Sequence, residues 1–436
     1  MPFLNYSSRK AVYHIKTINI ISPTGKEEKS MNNKKYLAND EAVVELKSEK
    51  DLKEYLAFRK EHDVWYTPYV NECKIVGVSN TLLFFEQEAN DIKGSEKFGV
   101  SLKCDCIRET VEEAAADNGI LIVFPSNDHY EVYPLRYTGF IDLCKRSGLE
   151  GRTMTLMQKK GQIEALDTHT KGQWFSTGCK LNGESCKILI RDGKASNMKS
   201  KEYSIIPADE AVSALEMELS GSWPEYTYST GMVSHEYLIV DYLLNDTAME
   251  ESLRLRLESL GLKCQGSVQS GVRFSTSDVG NSCVTAAPYF TINGTKVRIG
   301  NPIAVRHNSE NNATKFSEQL IKMATLLREA EDKIEELGNT NINCIVGCVQ
   351  NVCEKYSNLI PTKAAEKVID DLLVQYGTTG SGTAVDVFIA LNEIVNVQNV
   401  LKPMNPTQLI KLSEGISQLM FVDYEEYDLP YENKTK

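Results

Sequence analysis

The sequence predicts an α+β protein: a mixed, mostly antiparallel β-rich N-terminal region followed by an all-helical C-terminal domain. Three observations predict it. From about residue 70 to 307, short runs of β-branched and aromatic residues are cut by Gly, Asn and Ser. After Asn308, apolar residues recur every three or four positions for more than 20 residues. The composition, 42 % hydrophobic and 25 % charged over 436 residues, is that of ordinary packed domains. At roughly 150 residues per domain the length suggests two or three. The expected division is 1–60 as an N-terminal segment with a polar loop, 61–310 as the α+β domain, 311–422 as the helical domain and 423–436 as an acidic tail.

Residues 22–54 are polar and Lys/Glu-rich, and lead into a short helix at 48–60. Strands are expected at 74–78, 120–124, 187–191, 203–206, 237–243, 272–275 and 303–306. Two helices interrupt them. One covers 107–116; the other covers 208–219, with Pro207 at its start and Val212, Leu215 and Leu219 on one face. The helical part begins with one long helix through Phe316, Leu320, Met323, Leu327, Ala330, Ile334 and Leu337, stopped by Gly338. Helices at 342–356, 363–376, from Thr383, and at 407–420 capped by Asn405 complete five. The last residues, from Asp423, read as an exposed acidic tail.

Composition excludes disorder, collagen-like repeats and a disulfide scaffold. No run of about 18 consecutive apolar residues is present, so no membrane span is expected, and the N-terminus lacks the apolar core of a secretory signal. The eleven cysteines are scattered, and read as reduced thiols in a cytoplasm. Cys104 and Cys106, and Cys344, Cys348 and Cys353, do not form the two matched pairs of a structural zinc site. They read as small buried hydrophobes, and no metal or cofactor is expected. No nucleophile elbow, zinc-protease motif or phosphate loop occurs; the Gly377–Gly382 stretch lacks the lysine a phosphate loop requires.

Charge is the most informative feature. The formal net charge is −12, yet 144–201 holds twelve Lys/Arg against five acids, a net +7, so the remainder carries −19. Lysines and arginines neutralise phosphates and exposed aromatics stack on unpaired bases. Placed on a sheet surface, Lys159, Lys160, Lys187, Arg191 and Lys194 would contact phosphates and Trp174 would stack. A second candidate is the small polar run around Ser277 and Asp278, which with His307 could form a ligand loop.

The stretch from Lys199-Ser-Lys-Glu-Tyr203 to Pro207 and its helix, then Val272-Arg-Phe-Ser-Thr-Ser-Asp278-Val-Gly280, then 303–307, resembles a phage/plasmid-like domain-of-unknown-function family of bacterial mobile elements. Thr383-Ala-Val-Asp386-Val-Phe and Tyr427-Asp-Leu-Pro430 resemble a long-chain branch of it. The resemblance covers about half of the chain. It implies a mobile-element origin and a bacterial cytoplasm, and supplies no catalytic residues. The expected function is therefore a non-enzymatic phage or mobile-element protein that binds single-stranded nucleic acid, as in annealing or recombination, with homo-oligomerisation through the helical domain. The alternatives are a phage structural or assembly protein (scaffold, shell or virion component), and a counter-defence protein or hydrolase whose pocket would gather Asp278 and His307.

Overall fold

The structure is a computed structural model that describes residues 43–78, 114, 119–126, 129–149, 168–262, 264, 267–280, 282–308 and 313–433. The N-terminal polar loop before 43, the expected helix at 107–116 apart from Ala114, Cys104, Cys106, Lys159 and Lys160 lie outside them. The fold is α+β.

The chain enters through Val44–Leu46 (β1) and Glu49–His62 (α1). Ser48 and Asp51 cap that helix reciprocally: each side chain takes the other's backbone N–H. Then come Val64–Tyr66 (β2), Lys74–Gly77 (β3), Ile120–Ser126 (β4), His129–Pro134 (β5), Tyr137–Arg146 (α2), Thr168–Lys180 (α3), Cys186–Arg191 (β6), Lys194–Ala195 (β7) and Lys199–Ser200 (β8). They make two small antiparallel sheets, β3-β4-β5 and β2-β6-β7, with β8 also on β6. Helix α3 lies directly on β3. The Ser176 hydroxyl accepts from Ile75 N and donates to Ile75 O, each at 2.8 Å, and a Cβ at Gly172 would come within 2.5 Å of Gly77 N. Ile75, Ile122, Phe124, Leu143, Phe175 and Ile188 share the core between sheets and helices.

Next follow Ala208–Ser222 (α4), Thr227–Val233 (β9), Leu238–Leu243 (β10), Thr247–Ser259 (α5), Gln269–Thr276 (β11), Val284–Ile292 (β12), Thr295–Arg298 (β13) and Ile303–Val305 (β14). With β1 they build a seven-stranded antiparallel sheet in the order β1-β9-β10-β11-β12-β13, with β14 pairing the start of β12. Helices Ala313–Leu320 (α6), Met323–Asn339 (α7), Ile345–Lys355 (α8), Thr362–Tyr376 (α9), Ala384–Leu401 (α10) and Pro406–Gln418 (α11) complete the order.

Alternation along the strands gives the large sheet two covered faces. On one, the Tyr242 hydroxyl donates to Glu216 of α4 and Phe274 meets Phe316 of α6 edge-on. On the other, Ile239 packs on Ile410 of α11. At the β13 edge the Arg298 amide donates to Asn392 of α10, and Thr295 donates to Glu393. Helix α10 is long and apolar enough by composition to cross a membrane, but here it packs against α7, α8, α9, α11 and β13.

Three local expectations are corrected and a fourth is refined. Residues 203–206 form no strand: the Tyr203 amide closes a turn on Ser200, and its carbonyl accepts from Lys187 Nζ. Trp174 sits on a helix, not on a sheet. The long helix through 316–337 breaks at Ile321, where the backbone turns between α6 and α7, so that six helices replace five among the described residues. The residues from Asp423 are mostly exposed, as expected, but they are not a free tail: Tyr424 is fully buried, and the Asp428 carboxylate accepts the amides of Asn343 and Cys344.

Candidate functional site

Arg191 ends β6 and turns inward, where it is 2 % exposed. Its Nε donates to both oxygens of Asp63, at 3.2 and 3.0 Å, and its Nη2 reaches Asp63 again. Nη2 also donates to Asp278 at 2.6 Å, and Nη1 to the His235 carbonyl at 3.0 Å. The next residue, Asp192, adopts φ +53° beside Gly193 at +75°, the left-handed pair that a two-residue Asp-Gly hairpin between β6 and β7 requires. Its carboxylate accepts from Arg59 at 2.8 Å and lies within 3.6 Å of Arg136 and His235. Burial alone would push this carboxyl up; nearby His235 and the Arg59 and Arg136 guanidiniums overrule it and hold it well below the usual carboxylate range. Three arginines and three aspartates thus neutralise one another inside the protein.

The ligand-loop candidates do converge, around Tyr203. The Tyr203 hydroxyl donates to the Asp278 carbonyl at 2.9 Å, and the His307 ring stacks on Tyr203 at 5.0 Å and 5°. His307 Nδ1 bonds the Ser204 carbonyl, while burial holds the imidazole below its ordinary pKa. Ser277 is fully buried. The Asp278 carboxylate faces Arg191, so this cluster ties the loop after β11 to the rest of the fold.

The expected phosphate contacts scatter. Arg191 is a correction: a guanidinium enclosed by Asp63, Asp278 and the His235 carbonyl has little left to offer a phosphate. The Lys187 ammonium is bound to the Tyr203 carbonyl, and half-buried Lys194 follows the hairpin turn. Trp174 is different. It is 43 % exposed on α3, the helix whose inner face holds Phe175 and Cys179. The C-terminal ends of α2 and α3 meet, since Asn182 Nδ2 donates to the Arg146 carbonyl at 2.9 Å. Exposed Lys145 and Lys180 therefore share one end of the pair, close to the Arg146–Glu184 ion pair.

Elsewhere a cleft of about 830 Å³ opens beside α9 and α10, lined in part by Asp371, Asp386 and Glu393. Each carboxylate is engaged. Asp371 pairs with Lys367, Asp386 closes the capping box with Thr383, and Glu393 accepts from Thr295 and Asn396. Among the described residues no group of three His, Cys, Asp or Glu is placed to hold a metal ion. Cys348 and Cys353 are buried, which pushes both thiols up to about 12.

No family model, curated protein or solved structure matches the chain.

Sequence reasoning missed Asp63 and Asp142, acids that meet the basic segment from outside it, and read Asp278 as part of a ligand loop rather than as a partner of Arg191. It also missed the cations of β13. There Lys296 and Arg298 alternate with Val297, a period of two that a strand assignment would have placed on one face.

Proposed function

We propose that the protein is a non-enzymatic phage or mobile-element protein that binds single-stranded nucleic acid through the α2–α3 end of its basic segment. The observation that carries the reading is Trp174, a half-exposed indole on a helix that ends beside Lys145 and Lys180. The chain joining α2 to α3 adds Arg152, Lys159 and Lys160 in sequence. Aromatic faces stack on any base, and nearby cations track the backbone, so the expected binding is tolerant of sequence and sensitive to salt. Mobile-element origin rests on the resemblance of 199–308.

Mobility shift with single- and double-stranded DNA and RNA at two salt concentrations tests the proposal. Preferential retardation of single strands, weakened by salt, supports it; equal or absent binding removes it. Light scattering without nucleic acid addresses the alternative of a phage structural or assembly protein. Exposed Val374, Val400 and Leu401 on the C-terminal helices are the observation that favours it, and large particles would replace the first reading.

A further inference from the structure

On the sheet face that α10 and α11 cover, the strands set charged side chains in one row. Register places Asp241 of β10 opposite Arg273 of β11, and Tyr289 of β12 opposite Arg298 of β13. Lys296 lies two residues before Arg298, on the same face. Gly271, opposite Tyr289, leaves room for the phenol ring: a Cβ there would fall 2.3 Å from Tyr289 Cζ.

Asp241 is fully consumed. Its carboxylate accepts Arg273 Nε and Nη2 at 2.7 Å each, and Lys296 Nζ at 2.7 Å. Arg298 is left over. It is 5 % exposed, and among the described residues no protein atom accepts a hydrogen bond from Nη1 or Nη2. Its ion pair with Glu414 of α11 is long, at 3.8 Å. Burial and the neighbouring Arg273 lower its pKa to about 10, with Glu414 and Asp241 opposing. A buried guanidinium without a close acceptor is among the costlier arrangements a core can hold, and an apolar side chain would serve packing better.

A cavity of about 190 Å³ lies against this side chain. Arg298, Lys296, Arg273 and buried Ser413 of α11 line it, and exposed Asn396 and Asn399 of α10 stand at its mouth. The Asn399 carbonyl already accepts the Met404 amide, which leaves its NH₂ to donate. Three cations thus face Asp241 and the distant Glu414.

We infer that this cavity is a binding site for a small oxyanion-bearing molecule, whose phosphate or carboxylate group sits on Arg298 and Lys296 and is closed over by Asn399. At roughly 30 Å³ per water the space equals about six waters. That admits inorganic phosphate or a short dicarboxylate, and is below the span of about 300–1,000 Å³ usual for larger ligands. The site is separate from the α2–α3 surface, so the two readings fail independently.

Thermal unfolding of the full chain tests it, with inorganic phosphate or succinate replacing chloride at fixed ionic strength. One of the two should raise Tm along a single-site saturation curve, and the anion that saturates at lower concentration identifies the group. General salting effects do not saturate in this way. Arg298→Met should leave Tm in chloride equal or higher, and should abolish the anion-dependent rise. Lys296→Met, at a partly exposed position, should weaken the same anion about 10-fold or more. It also decides the matter if Arg298→Met does not fold. No rise above matched chloride overturns the inference. So does a rise that the folded variants retain in full.

Discussion

The guanidinium of Arg191 and the carboxylate of Asp278 lie 2.6 Å apart across 87 residues of chain. Asp63, just past α1, grips the same guanidinium from another side. One arginine on a small sheet thus binds the turn after β11 of the large sheet and the end of a helix. Removing one member of a buried pair leaves the others uncompensated, at about 3–5 kcal/mol. Arg191→Ala should therefore lower the urea midpoint by that equivalent with no change in m. A loss below about 1 kcal/mol would mean that the cluster is solvated in solution.

Acid should unfold the protein through Asp241 and Asp192. Burial would raise the Asp241 carboxyl, but Arg273 and Lys296 outweigh it and hold the group well below its ordinary value. A carboxyl whose folded pKa lies below the unfolded one adds stability that is complete above about pH 5 and is lost as pH falls through 4 and lower. At pH 7 Asp241→Asn should be less stable by about 3–5 kcal/mol. The gap to the unsubstituted protein should close as pH falls, read by urea unfolding at pH 7, 5, 4 and 3. A constant gap would rule this titration out.

What the sequence made legible followed from periodicity. Val212, Leu215 and Leu219 are buried on one face of α4, and Phe316, Leu320, Met323 and Leu327 are buried as their spacing predicts. The caps at Thr383 and Asn405 are local chemistry and were readable. β12, the longest strand among the described residues, was not, because it is buried on both faces and shows no alternation: Val284–Ile292 reads as a mostly apolar run with a proline inside. Charge misled more deeply. The basic segment is basic only along the chain; in space Arg191 meets Asp63 and Asp278, and Lys199 meets Asp142 at 2.6 Å. Net charge by segment cannot see partners that folding brings from outside the segment.

Trp174 separates stacking from packing. The residue is 43 % exposed, whereas Trp223 is buried and Trp65 stacks on Tyr203. Single strands should therefore quench the Trp174 fraction of the fluorescence. Trp174→Ala should lower single-strand affinity about 10-fold, at roughly 1–3 kcal/mol per stacked base. Its stability should stay within about 0.5 kcal/mol, as at most surface positions. Lys145→Glu with Lys180→Glu should instead flatten the salt dependence, by about 0.7 in slope per lost phosphate contact. Unchanged affinity in both variants would remove the α2–α3 surface from consideration.

The C-terminal segment should behave as part of the core. Tyr424 is 1 % exposed, with its hydroxyl donating to the Leu419 carbonyl at 2.8 Å. Beyond it, Asp428 accepts the Asn343 amide at 2.8 Å and the Cys344 amide at 2.9 Å, at the start of α8. The chain then passes so close to Gly347 that a Cβ there would lie 2.0 Å from the Leu429 carbonyl. A carboxylate on free amides at a helix start is worth about 1 kcal/mol, and a buried aromatic ring about 3–5 kcal/mol. Asp428→Ala should cost the smaller amount and Tyr424→Ala the larger. Gly347→Ala should destabilise by forcing the segment off α8. Hydrogen exchange should show α8 amides losing protection in all three variants before the β9–β12 strands do. Protection that falls evenly across the chain, or not at all, would mean that the segment does not hold α8.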